Sequence, residues 1–210
     1  MNIRVTSICL VTVLAVTGCV GCARSPQAKA VRFIENGKKR LAHKDYPQAL
    51  LEFLNAIQAD PRNAEAFYQA ALTHLASGNT GPAVSALRRA IVLDPKNSNA
   101  QVKLAELMTS ARSHEVLEDA ESRLQAVLKA SPDNVEALDA LALAEFRLGK
   151  PGLAEEHLHE ALEKFPQNLK ASASLAGLKF RQGERHHAEE VLNQEVASSP
   201  QSAEARIALG

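Results

Sequence analysis

Pro61, Pro95, Pro132, Pro166 and Pro200 follow one another at intervals of 34, 37, 34 and 34 residues. A fixed period near 34 is what a stack of helix–turn–helix units produces, because each unit buries its apolar face only against its neighbours. A proline cannot continue a helix interior, so each of these closes the second helix of one unit and opens the next. The 24 basic and 24 acidic side chains cancel. Neither a basic surface for nucleic acid nor an acidic solvating tail is therefore expected. Aromatic residues make up 4% of the chain and tryptophan is absent, so the core must be built from alanine and leucine. Small alanine side chains let helices approach closely, which suits stacked hairpins.

The units share more than their prolines. The first runs from about Ala30 to Asn63, with Phe33, Gly37, Asp45-Tyr46, Ala49, Phe53, Ala56 and Asp60-Pro61. The second, Ala64–Asn97, repeats the scheme with Phe67, Ala71, Gly78, Ala83, Leu87, Ala90 and Asp94-Pro95. The fourth, Val135–Asn168, and the fifth, Leu169–Ser202, follow it with Ala142, Gly149, Ala154, Leu158 and Ala161, then Ala176, Gly183, Ala188 and Leu192. A small residue in each first helix (Gly37, Ala71, Ala105, Ala142, Ala176) and the first alanine of each second helix (Ala49, Ala83, Ala120, Ala154, Ala188) are expected where the pair crosses, since a larger side chain would pry it open. Gly78, Gly149 and Gly183 supply the permissive backbone that ends a first helix. This pattern resembles the tetratricopeptide repeat (TPR) over nearly all of the chain after residue 30. The resemblance implies an all-α fold, a right-handed superhelical solenoid of about five TPR units with the start of a sixth.

The third unit, Ser98–Asn134, is 37 residues long, and its excess falls in residues 109–116 (TSARSHEV), where the turn glycine is missing. An insertion there is expected to leave both helices intact and lengthen only their connection, as a surface loop or a contact site. Residues 203–210 (AEARIALG) reproduce the opening of a sixth unit and stop inside its first helix. Arrays normally close with a polar cap, so this reads as the front of a longer array, or else as a frayed tail.

The N-terminus carries a second signal. Met1–Arg4 is a short positive start, and Val5–Val16 is uncharged but too short to span a bilayer comfortably. Val16-Thr17-Gly18-Cys19 resembles the bacterial lipobox. That resemblance implies a signal peptide over residues 1–18, acylation of Cys19 (palmitate among the chains), a lipidated tether over 19–29, and membrane attachment without a spanning helix. Val20 after the cysteine points to the outer membrane in a cell that has one, with the protein facing the periplasm. Cys22 is a second, weaker lipidation candidate. The alternative is a plain secretory signal with an incidental cysteine.

No catalytic constellation emerges. His159-Glu160-Ala161-Leu162-Glu163 lacks the second histidine of a zinc-protease helix, whose place Glu163 takes. His157 with His159, and the pair His186-His187, are expected to be solvated. Phosphate loops and nucleophile elbows are absent. No enzyme activity, metal or cofactor is expected. In the TPR family the concave face is lined mainly by first helices. The resemblance therefore implies a partner-binding surface of Tyr68, Gln69, Leu72 and Leu75, then Val102, Lys103 and Glu106, then Asp139, Leu143, Phe146 and Arg147, and finally Ser174, Phe180 and Arg181. Apolar groups flanked by charges suit an amphipathic helix or an extended segment. For Phe146 and Phe180, covering the hairpin turn is an equal alternative. The places of the carboxylate clamp hold Ile34 and Lys38, Tyr68 and Leu72, Val102 and Glu106, so that specialisation is not expected.

The expected partners are a protein or peptide and, through the lipid, a membrane, but not nucleic acid; the oligomeric state is left open. Three roles suit such a chain: an envelope scaffold resembling the TPR lipoproteins of exopolysaccharide export and exosortase-type (PEP-CTERM) sorting; a pilotin-like assembly factor for a secretin or type IV pilus; or the docking arm of a longer enzyme.

Overall fold

The computed structural model describes residues 25–198. The leader, Cys19, Cys22, Pro200 and the start of the sixth unit lie outside the described residues. Among the described residues there are ten helices and no strand: α1 (Pro26–Ala42), α2 (Tyr46–Ala59), α3 (Ala64–Ala76), α4 (Thr80–Leu93), α5 (Ser98–Met108), α6 (His114–Ala130), α7 (Val135–Arg147), α8 (Pro151–Lys164), α9 (Leu169–Arg181) and α10 (Arg185–Ser198). The chain divides into two compact units, Met1–Lys96 and Asn97–Gly210. No described helix is long and apolar enough to cross a membrane.

The first unit holds the hairpins α1–α2 and α3–α4. Its core gathers Ile34 from α1, Phe53 and Ala56 from α2, and Ala66 and Ala70 from α3. At Gly37 α1 lies tight against α2: a Cβ built on it would lie 2.5 Å from Cε1 of the fully buried Phe53. The second unit holds α5–α6, α7–α8 and α9–α10. There α7 is shared by two apolar clusters, one with Val102, Leu124 and Leu141, the other with Leu138, Leu158 and Leu175. The alanines expected at the helix crossings, Ala71, Ala105, Ala142 and Ala176 with Ala49, Ala83, Ala120, Ala154 and Ala188, are all buried.

Local chemistry sets the helix ends. Asn63, Asn97, Asn134 and Asn168 each cap a first helix, the side-chain oxygen accepting from the backbone N–H three residues on (Ala66, Ala100, Ala137, Ala171). Such caps satisfy an N–H that has no partner within the helix. Pro61, Pro95, Pro132 and Pro166 each follow the residue after the end of a second helix, as at Ala59, Asp60 and Pro61. First helices α3, α7 and α9 end on Gly78, Gly149 and Gly183, with φ of 76°, 76° and 86°. At these ends the glycine N–H and the next N–H reach back to two carbonyls of the last turn, as when Gly78 donates to Leu75 and Asn79 to His74. The same pair of bonds closes α1, where Lys44 and Asp45 donate to Leu41 and Arg40. Lys44 adopts φ of 58°, a conformation that favours glycine.

Two expectations need correction. The segment 26–29 is not tether: α1 starts at Pro26, with Ser25 accepting from the Ala28 N–H, so the first helix of unit one is 17 residues long. In the third repeat the excess does not stay in the connection. The α5–α6 link is longer than the other helix-pair turns, but α5 has only 11 residues and α6 has 17, against 13 and 14 in the fourth repeat. Without a turn glycine α5 ends early on simple turns, Ser110 to Leu107 and Ala111 to Met108. The inserted residues then extend α6, whose Leu117 is buried.

Candidate partner-binding site

Residues expected on a partner surface in the second unit converge on α5, α7 and α9. Lys103 Nζ lies 2.6 Å from Glu106 Oε2, both on α5. Lys170, at the start of α9, reaches Glu106 Oε1 at 3.0 Å and Asp139 Oδ2 on α7 at 2.8 Å. Ser174 Oγ donates to the other Asp139 oxygen at 2.6 Å. Burial alone would raise the Glu106 pKa, but hydrogen bonds from Lys103 and Lys170 outweigh it and hold the carboxyl below its ordinary range. Burial likewise opposes the charge on Lys170, and the Asp139 and Glu106 carboxylates more than restore it. The four charges, two of each sign, tie three consecutive first helices together across α7.

Beside this network lies an apolar cleft of about 170 Å³ between α7 and α9, floored by α8. Leu143, Phe146, Leu158, Gly177 and Leu178 form its walls and Arg181 its mouth. The Arg181 guanidinium stands 5.2 Å over the Phe146 ring. Phe146 thus belongs to the cleft, half-buried against the α7–α9 core, whereas Phe180 is 58% exposed. Arg147 is exposed and donates to the Ala111 carbonyl of the α5–α6 link at 2.9 Å.

Three expected residues do not offer themselves to a partner. Val102 is buried in the α5–α6–α7 core, because its position on α5 faces the next repeat. Gln69 is nearly buried and donates to Glu65 on its own helix. Asp139 is buried and engaged by Lys170 and Ser174. In the first unit Tyr68, Leu72 and Leu75 are half-buried on α3, and Lys38 pairs with Glu65 at 2.6 Å.

Sequence reasoning missed Lys170 and Gly177, which follow no recurring residue type. It also took His157 as solvated. Instead His157 Nδ1 lies 2.8 Å from Oε2 of Glu145, a carboxyl only 1% exposed. His159, His186 and His187 do sit on the surface, each near a glutamate of its own or the adjoining turn.

Helix pairs with small residues at every crossing, asparagine-capped first helices and glycine-closed turns define a tetratricopeptide-repeat protein. The chain belongs to the family described as cytochrome c-type biogenesis protein H TPR domain, which matches residues 23–154, and a tetratricopeptide repeat model matches residues 145–210. It is similar to the mouse PEX5-related protein, 34% identical over 119 residues that make up 57% of this chain and 19% of that protein. The chain spans about a fifth of the length of the curated relatives it matches. Among solved structures it is similar to PilW, a widely conserved type IV pilus biogenesis factor (TM-score 0.75, 18% identity, 85% of this chain and 82% of that one). A thermophilic TPR protein of Thermus thermophilus gives a TM-score of 0.71 at 23% identity, covering 85% of this chain and 95% of that one. As a TPR array the chain is a scaffold for protein–protein interaction.

Proposed function

We propose that this scaffold is a lipoprotein of the bacterial envelope, anchored through Cys19 and facing the periplasm, which holds a protein partner on its first helices and catalyses nothing itself. The observation that carries the reading is the lipobox-like Val16-Thr17-Gly18-Cys19 standing six residues before Ser25, the cap of α1. Six residues span at most about 22 Å, so an acyl anchor at Cys19 keeps the first repeat close to the bilayer. On α1 itself Lys29, Arg32 and Lys39 are exposed and Glu35 is the single acidic residue, an excess suited to anionic headgroups. In each unit the first helices would form the concave binding face.

Within the envelope, an assembly role is favoured over exopolysaccharide export or protein sorting. Both cytochrome c-type biogenesis and type IV pilus biogenesis appear in the names of proteins this chain resembles. Intact mass and membrane fractionation of the protein expressed in a bacterial host, beside Cys19→Ser, test the anchor. A mature species beginning at Cys19 with acyl chains, absent from the variant, is the expected result; a soluble unacylated species in both would end the lipoprotein reading.

A further inference from the structure

We propose that the cleft between α7 and α9 takes one bulky apolar side chain of a partner segment whose neighbouring residues are acidic. This specifies the partner of the interaction scaffold and does not depend on where the scaffold is anchored.

The size of the cleft selects the occupant. At about 170 Å³ it falls below the range of about 300–1,000 Å³ that encloses small-molecule ligands. It has room for a single leucine-, methionine- or phenylalanine-sized group, and its walls are Leu143, Phe146, Leu158 and Leu178.

Gly177 is the second observation. It lies in the interior of α9, where glycine is less favourable than alanine. Its backbone does not adopt positive φ, and a Cβ built on it would meet nothing within 4 Å. Neither conformation nor packing therefore calls for glycine. What its missing side chain does is keep the cleft open. Gly37 is the contrast, since there the facing Phe53 leaves no room for a methyl group.

The charge at the mouth selects the flanks. Among the described residues no carboxylate lies within 4 Å of Arg147, Arg181 or Arg185, although Lys150, Lys164, Lys170 and Lys179 of the same unit are each paired. Arg181 sits over the Phe146 ring with its N–H groups uncommitted to an anion. A guanidinium so placed forms strong charge-assisted hydrogen bonds with carboxylates and repels a cationic segment.

The test is fluorescence anisotropy of the full chain with three labelled heptapeptides: phenylalanine centred among glutamates, the same peptide with lysines for glutamates, and the same with alanine for phenylalanine. The glutamate–phenylalanine peptide should bind at least tenfold tighter than either control. Gly177→Leu, which fills the cleft, and Arg181→Glu should each weaken it at least tenfold. Gly177→Ala should keep binding and melt at a higher temperature, so it separates blockage of the cleft from damage to α9. Absence of binding by all three peptides, equal binding of the acidic and basic ones, or undiminished binding by Gly177→Leu overturns the proposal. Cys19→Ser should bind as the unsubstituted chain does, which keeps failure of the anchor apart from failure of the cleft.

Discussion

Gly37 and Gly177 occupy adjacent places in the repeat scheme, each within a first helix, yet do opposite things. At Gly37 the absent side chain lets α1 approach the Phe53 ring, and an added Cβ would come within 2.5 Å of it. Alanine there should destabilise the protein by about 1–3 kcal/mol through overpacking, in spite of its higher helix propensity. Urea denaturation of Gly37→Ala reads this directly; an unchanged midpoint would mean that Phe53 yields at no cost. The role of Gly37 is legible in the sequence because Ala71, Ala105, Ala142 and Ala176 recur in its place. Gly177 had no such signal: the matching residues are Lys38, Leu72, Glu106 and Leu143, which share no size or polarity. Lys44 stands where three other turns have Gly78, Gly149 and Gly183, and still adopts positive φ. The bonds that close the turn hold it there, so the geometry outlasted the residue type that announces it.

At the scale of elements, the helix pairs are set by short-range chemistry that repeats with the period. Asparagine caps open the first helices, glycine turns close them, and prolines lie just beyond the second ones. The third repeat shows what happens when one of these is lost: α5 ends early and α6 grows at its start. Between helices, polar pairs do the tying. The His157–Glu145 pair joins α8 to α7, and its hydrogen bond raises the imidazole pKa above the ordinary value of 6.5, burial opposing. A raised folded-state pKa means that the contribution is full below the unfolded pKa and fades as pH rises through the folded one. Stability should therefore fall by on the order of 1 kcal/mol as the pH climbs above about 6.5. Urea midpoints measured from about pH 6 to 9 should show this decline and His157→Gln should lack it; parallel profiles would remove the pair from the account.

Across the whole molecule, stability should be local, because each repeat buries its apolar face only against the next. Leu141 on α7 is 1% exposed and packs with α5 and α6. Leu141→Ala should cost about 2–5 kcal/mol. Hydrogen exchange should then quicken in α5–α8 while amides of α1–α3 keep their protection; uniform loss along the chain would refute nearest-neighbour behaviour. The sequence by itself determined the helical class, the pairing of helices and the placing of their ends outside the start of α1 and the third repeat. Breakers, caps and small residues act on the few residues around them, so a period written along the chain is enough. Only the tertiary structure decided which first-helix residues remain available. It turned Val102 inward, engaged Asp139 with Lys170, drew His157 onto Glu145 and opened a cleft at Gly177. Each of these depends on side chains brought together from different helices, and a period does not specify which atoms come within reach of one another.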